Sequence, residues 1–212
     1  RWLPPLRKTS VPCLLFRSKA MLVDPKRRQL LALALLPDMS EFFRALTPPP
    51  DSYAEWFRAV QADDAAKVQL LLARGFDPNT LDSERYETAL ILAVRNNAQK
   101  VFAKLLAASG VNLDARAQNG DTALMIAAFK SNVAVATALI NKGAEINRPG
   151  WTALHYAAAS GCDELVRFLL EHAAYIDAES PNKTTPLMMA VRGMHLKTVQ
   201  LLLEEGADPA LK

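Results

Sequence analysis

Three histidines (His155, His172, His195), two cysteines (Cys13, Cys162) and the adjacent carboxylates Glu204 and Glu205 are the residues most able to do chemistry here. Histidine and thiolate could hold a metal, a cysteine or serine could act as nucleophile, and paired carboxylates could exchange protons across a cleft. Their spacing supports none of these. Structural zinc sites need Cys/His pairs at short, regular separations, and these histidines and cysteines are scattered. Cys13 and Cys162 match no metal or redox spacing and exclude a disulfide framework. Ser160-Gly161-Cys162 is no nucleophile elbow, and Cys162 opens an apolar run where a free packed thiol is the default. Glu204 and Glu205 sit on the solvent side at the end of a helical stretch, with no cleft between them. The eight glycines fall at turns and form no phosphate loop. A catalytic, metal-bound or cofactor-dependent reading is therefore set aside.

Recognition is the remaining work for side chains, and the elements that would position it are periodic. The strings "YETALILAVRNN" (86–97), "GDTALMIAAFKS" (120–131), "GWTALHYAAASG" (150–161) and "KTTPLMMAVRGM" (183–194) are versions of one another. Thr88, Thr122, Thr152 and Thr185 recur at intervals of 34, 30 and 33 residues. About twenty residues later come "KLLAASG" (104–110), "ALINKGA" (138–144), "FLLEHAA" (168–174) and "LLLEEGA" (201–207). An earlier "LLLARGF" (70–76) follows "AEWFRAV" (54–60), which replaces the threonine triplet. Such a period is the signature of a solenoid. Each unit reads as two short helices. Thr152 caps the first, and Leu154, Ala157 and Ala158 share a face. Gly161 breaks the run, and Leu165, Val166, Leu169 and Leu170 line the second helix. The alanines permit close approach of neighbouring units, each hiding its apolar stripe against the next.

The pattern resembles the ankyrin repeat, carried by "TALHYAA" (152–158), "TPLMMAV" (185–191), "LVRFLL" (165–170), "TVQLLLEEGAD" (198–208) and "NKGAEIN" (141–147). The whole is also similar to small exported bacterial ankyrin proteins. Departures are present: only Thr185 precedes proline, only the Thr152 copy keeps its histidine, Ala173 replaces a glycine, and one extra residue sits near Ser109. The resemblance implies an all-α solenoid of about five helix-turn-helix units. They are expected near 53–82, 83–116, 117–149, 150–179 and 180–212, the first a degenerate cap, within a repeat domain spanning 51–212. The last copy, "GADPALK", is not followed by a polar capping unit, and the chain does not start with methionine, so it is expected to be part of a longer or differently started one.

Charge divides the chain in the same place. Residues 1–50 hold nine Lys/Arg and three acids, whereas residues 51–212 hold sixteen and nineteen. The mildly acidic repeat domain lacks the basic stripe of a nucleic-acid surface. "TPPP" (47–50) enforces an extended connection. Before it, "MLVDPKRRQLLALALLPDMSEFF", beginning at Met21, has the layout of a signal peptide over about 21–37, with Lys26, Arg27 and Arg28 ahead of an apolar run. A cleaved leader implies a periplasmic or secreted protein; a short capping helix there would leave it cytoplasmic. No apolar run reaches the ~20 residues of a membrane span.

The resemblance further implies a concave face made of loop tips and first-helix residues. Carried onto this register, it places Tyr86, Glu87, Asp121, Trp151 and Thr184 near the tips. Arg95, Asn96, Phe129, Lys130, Ser160 and Arg192 fall on the exposed side of the first helices. Phe129 and Trp151 stand out because aromatics dominate interface energetics. Trp151 either anchors a partner or folds over the neighbouring loop, which is shortened by about three residues relative to its fellows. The function implied is a non-catalytic, monomeric protein–protein interaction module with no nucleic-acid partner. The alternative is an accessory or immunity-type factor that stabilises or restrains one envelope or secreted protein.

Overall fold

The structure is a computed structural model describing residues 52–211; the signal-like segment and the "TPPP" stretch lie outside the described residues. Among these, ten helices form five consecutive pairs. They are α1 (Ser52–Gln61) with α2 (Ala65–Ala73), α3 (Ala89–Asn96) with α4 (Gln99–Ala107), α5 (Ala123–Phe129) with α6 (Val133–Asn141), α7 (Ala153–Ser160) with α8 (Asp163–Glu171), and α9 (Pro186–Arg192) with α10 (Leu196–Glu204). The one β-type pairing among the described residues is an isolated antiparallel bridge between Leu81 and Thr88, at a loop tip. The fold is all-α.

Helix starts follow from the threonines. The hydroxyls of Thr88, Thr122 and Thr185 accept the N–H groups of Ile91, Met125 and Met188 at 3.4, 3.3 and 3.4 Å. Each satisfies a donor that has no intrahelical carbonyl. Thr152 and His155 form a reciprocal capping box instead. Pro186 at the first position of α9 loses no bond, because its N–H would be an orphan there. Helix ends are set by backbone turns in the same register. Asp63, Asn97, Ser131, Gly161 and Met194, each between the two helices of a unit, are all left-handed.

Packing follows the same period. Leu71, Leu105, Leu139, Leu169 and Leu202 occupy matching places in the second helices and are buried. Each contributes roughly 1.5–3 kcal/mol relative to exposure. Between units, the buried alanines Ala123, Ala127 and Ala128 of α5 and Ala153, Ala157 and Ala158 of α7 present only methyl groups, which lets the two helices pack closely. Trp56 and Phe76, stacked with ring centroids 4.7 Å apart, fill the first unit, where no threonine triplet exists.

Along the loops that follow the second helices runs a ladder absent from the expectations above. The side-chain oxygens of Asn79, Asp114, Asn147 and Asp177 accept the backbone N–H of Asn112, Glu145, Tyr175 and Asp208, each in the next unit, at 2.7, 2.9, 2.8 and 3.1 Å. Two asparagines also donate forward, Asn79 to the Gly110 carbonyl at 2.7 Å and Asn147 to the Ala173 carbonyl at 2.6 Å. These bonds fix the register between units that apolar stacking alone would leave loose.

Candidate functional site

The first helices α5 and α7, with the loop tips before them, gather an aromatic group. Phe129, in the last residue of α5, is 62% exposed. Its ring meets that of Tyr156 edge-on, with centroids 6.2 Å apart. Tyr156 is half-buried, and its hydroxyl donates to Asp121 Oδ1 at 2.6 Å, bracing α7 against the preceding tip. Burial, then the hydrogen bond to Asp121 and that residue's charge, push the phenol well above its ordinary range. Tyr156 is thus a fixed donor, with no access to the phenolate at neutral pH. Trp151 is half-buried and folds back, its ring 5.2 Å from that of His155 and 6.3 Å from that of Tyr156. Neighbouring tips close through backbone bonds from Ala117 to Asp121 (2.9 Å) and from Ser180 to Thr184 (3.0 Å). The shortened tip is held by Arg148, which donates to the Asp114 carbonyl at 2.8 Å.

Glu87 departs from the expectation of an exposed tip. It is 3% exposed, and Arg95 accounts for this. The guanidinium forks onto the carboxylate, Nη2 to Oε1 at 2.6 Å and Nε to Oε2 at 3.1 Å. A buried charge persists only when paired and hydrogen-bonded in this way. Glu87 orients Arg95 rather than meeting solvent itself. The pair lines an open depression of about 410 Å³ with Arg85, Gln118 and Asn119.

The other expected residues separate into two groups. Tyr86, Asn96, Lys130 and Arg192 are exposed. Tyr86 also has φ +53°, a left-handed conformation unusual for a bulky residue. Ser160 and Thr184 are half-buried and already engaged. The Ser160 hydroxyl donates to the Ala128 and Ala157 carbonyls at 3.2 and 3.1 Å. The Thr184 carbonyl accepts from Nε2 of buried His155 at 2.9 Å. His155 Nδ1 accepts the Thr152 N–H at 3.1 Å, so the imidazole ties the fourth unit to the tip of the fifth. Burial pulls its pKa below the usual 6.5, against the raising effect of backbone bonds to Thr184 and Ala178. Tyr156 was missed by the sequence reading. A signal existed: the same register position holds Leu92, Ile126 and Met189 in other units, so a phenol there is the odd residue out.

The family model described as "Ankyrin repeats (3 copies)" matches residues 56–149 and 147–212. The chain belongs to the ankyrin repeat family. It is 32% identical over 167 residues to the human transient receptor potential cation channel subfamily A member 1, a match covering 73% of this chain and 15% of that protein. It is 39% identical over 127 residues to the ankyrin repeat and KH domain-containing protein mask-1 of Caenorhabditis elegans, covering 58% and 5% respectively. With the human SH3 and multiple ankyrin repeat domains protein 2 it shares 34% identity over 146 residues, covering 67% and 8%. The chain thus spans a small fraction of these relatives, and their activities as whole proteins are their own. Ankyrin repeats are generally protein–protein interaction modules. Among the described residues, no cluster of three or more His, Cys, Asp or Glu is placed to hold a metal. No described helix is long and apolar enough to cross a membrane.

Proposed function

We propose that this ankyrin array binds a protein partner on its concave face without catalysing a reaction, and that Phe129, Trp151 and Tyr156 anchor the contact. One observation carries the reading. An exposed phenylalanine stands at the end of α5, beside a tyrosine whose hydroxyl is already bonded to Asp121. Burying Phe129 against a partner therefore gains apolar area without breaking a hydrogen bond, and the braced ring under it loses little freedom on binding. Rigid aromatic surface of this kind is what interface hot spots are made of.

Proteins retained by the immobilised full chain from its native source, identified by mass spectrometry, would supply the partner for a direct titration. Phe129→Ala is expected to weaken that complex by about 2 kcal/mol or more, while its lost edge-on contact with Tyr156 costs no more than about 0.5–1.5 kcal/mol of stability. Trp151→Ala should weaken it as well, and should cost about 0.5–1.5 kcal/mol of stability through its lost ring contacts. Affinity unchanged in both variants would move the contact away from this face.

A further inference from the structure

We infer that the depression between the tips of the second and third units receives a single carboxylate of the partner; the inference deepens the concave-face reading and rests on it for that partner. The depression, about 410 Å³ and open to solvent, is lined by Arg85, Glu87 and Arg95 of one unit and by Ala117, Gln118 and Asn119 of the next. Arg95 occupies the register place that Phe129 holds one unit later. A segment laid across Phe129 therefore has this depression as its neighbour.

The fork between Glu87 and Arg95 carries the inference. No later unit repeats it, since the same two places hold Asp121 and Phe129, Trp151 and Ala159, and Thr184 and Arg192. Glu87 is buried, yet the arginine side chain it grips is still 31% exposed. A buried ion pair is a weak source of stability, because desolvation offsets most of its attraction. What this pair does is fix the direction of one guanidinium at the wall of a depression. The fork uses Nε and Nη2 and leaves Nη1 to donate elsewhere. Arg85, across the tip, has no ion-pair partner among the described residues.

Charge then selects the ligand. Glu87 neutralises Arg95, so the lining has one uncompensated cation, Arg85, and matches one monoanion. A carboxylate is that monoanion, and planar arginine donors suit its two oxygens. A phosphate monoester, at nearly two negative charges, exceeds the match. Tyr86, between Arg85 and Glu87, is exposed and left-handed at φ +53°. Gly120, Gly150 and Lys183 hold that place in the later units. A tyrosine there bears a backbone cost that glycine avoids, and no burial of its ring offsets it. Such a ring is held out at the mouth of the depression for something to rest on.

Nuclear magnetic resonance of the isotope-labelled full chain tests this with four blocked tripeptides. They are alanine–aspartate–alanine amide, its asparagine and phosphoserine counterparts, and trialanine with a free carboxyl end. The aspartate peptide is expected to shift the amides of residues 85–87 and 117–119 and the Arg95 side-chain signal saturably, and the asparagine peptide is not. Arg85→Gln should weaken binding about threefold or more. Glu87→Gln/Arg95→Gln, which removes both partners and leaves no orphaned charge, should abolish it with the fold intact by circular dichroism. Tighter binding of the aspartate peptide than of free-ended trialanine assigns the carboxylate to a side chain, and the reverse order to a chain end. Equal shifts from the asparagine peptide, tighter binding of the phosphoserine peptide, undiminished binding in both variants, or no shifts from any peptide would each overturn the carboxylate site. Peptide binding that persists while the native complex ignores Phe129→Ala and Trp151→Ala would sink the aromatic anchor and leave this site standing.

Discussion

Ala173 adopts φ +61° at a position where other units place Gly75, Gly110, Gly143 and Gly206. A left-handed alanine costs roughly 1–2 kcal/mol, and glycine returns part of that through its freer unfolded chain. Ala173→Gly should therefore raise stability by about 0.5–1 kcal/mol. Denaturant titration checks this, and a lower midpoint would mean the alanine methyl has a packing role. His155 makes stability depend on pH. Its pKa is lowered on folding, so the unfolded chain binds the proton more tightly. Its contribution is complete above the unfolded value of 6.5 and is lost as pH falls below it toward the folded value. Melting temperature should drop over that window in the native chain and less in His155→Gln; parallel curves would refute the assignment. The threonine caps were legible in sequence because they recur, and the framework place of His155 because the ankyrin resemblance supplies it. Glu87 was not. Its burial depends on Arg95 reaching back across a whole helix, and periodicity records which positions are polar without recording which polar groups face each other. The Tyr156–Asp121 bond joins residues in adjacent units, a pairing visible only once the units are stacked.

At the scale of the element, the two-helix unit was readable nearly in full. Local rules specify it: a capping threonine, apolar spacing near 3.6 residues and a left-handed stop. Leu169 shows the energetic consequence. It is fully buried in α8, between helices on either side. Leu169→Ala should cost about 2–5 kcal/mol. Because each unit rests on its neighbours alone, amides of α7 and α8 should lose hydrogen-exchange protection before those of α3 and α4. Uniform loss across the array would show that the stack unfolds as one body. The loop tips were less legible than the helices. A tip shortened by about three residues has no periodic partner to be compared with, and only the structure shows Trp151 lying over His155 and Tyr156 while Arg148 closes the turn.

For the whole molecule, stability is a sum over units and the junctions between them. Asn147 contributes two bonds to one junction, accepting from Tyr175 and donating to Ala173. Asn147→Ala should weaken that junction by about 1–3 kcal/mol. Unfolding should then split into two steps by circular dichroism and hydrogen exchange; a single unshifted transition would show that stacking alone couples the units. The ladder also bears on how such an array can change over generations. Each rung takes a side chain from one unit but only a main-chain N–H from the next. The donating positions in this chain are Asn112, Glu145, Tyr175 and Asp208, four different residues doing one job. The accepting positions in this chain hold asparagine or aspartate, Asn79, Asp114, Asn147 and Asp177. A duplicated unit can therefore be spliced against any predecessor that offers an Asn or Asp, whatever residue it brings to the seam. Among the twenty, proline alone is barred there, because it has no N–H to give.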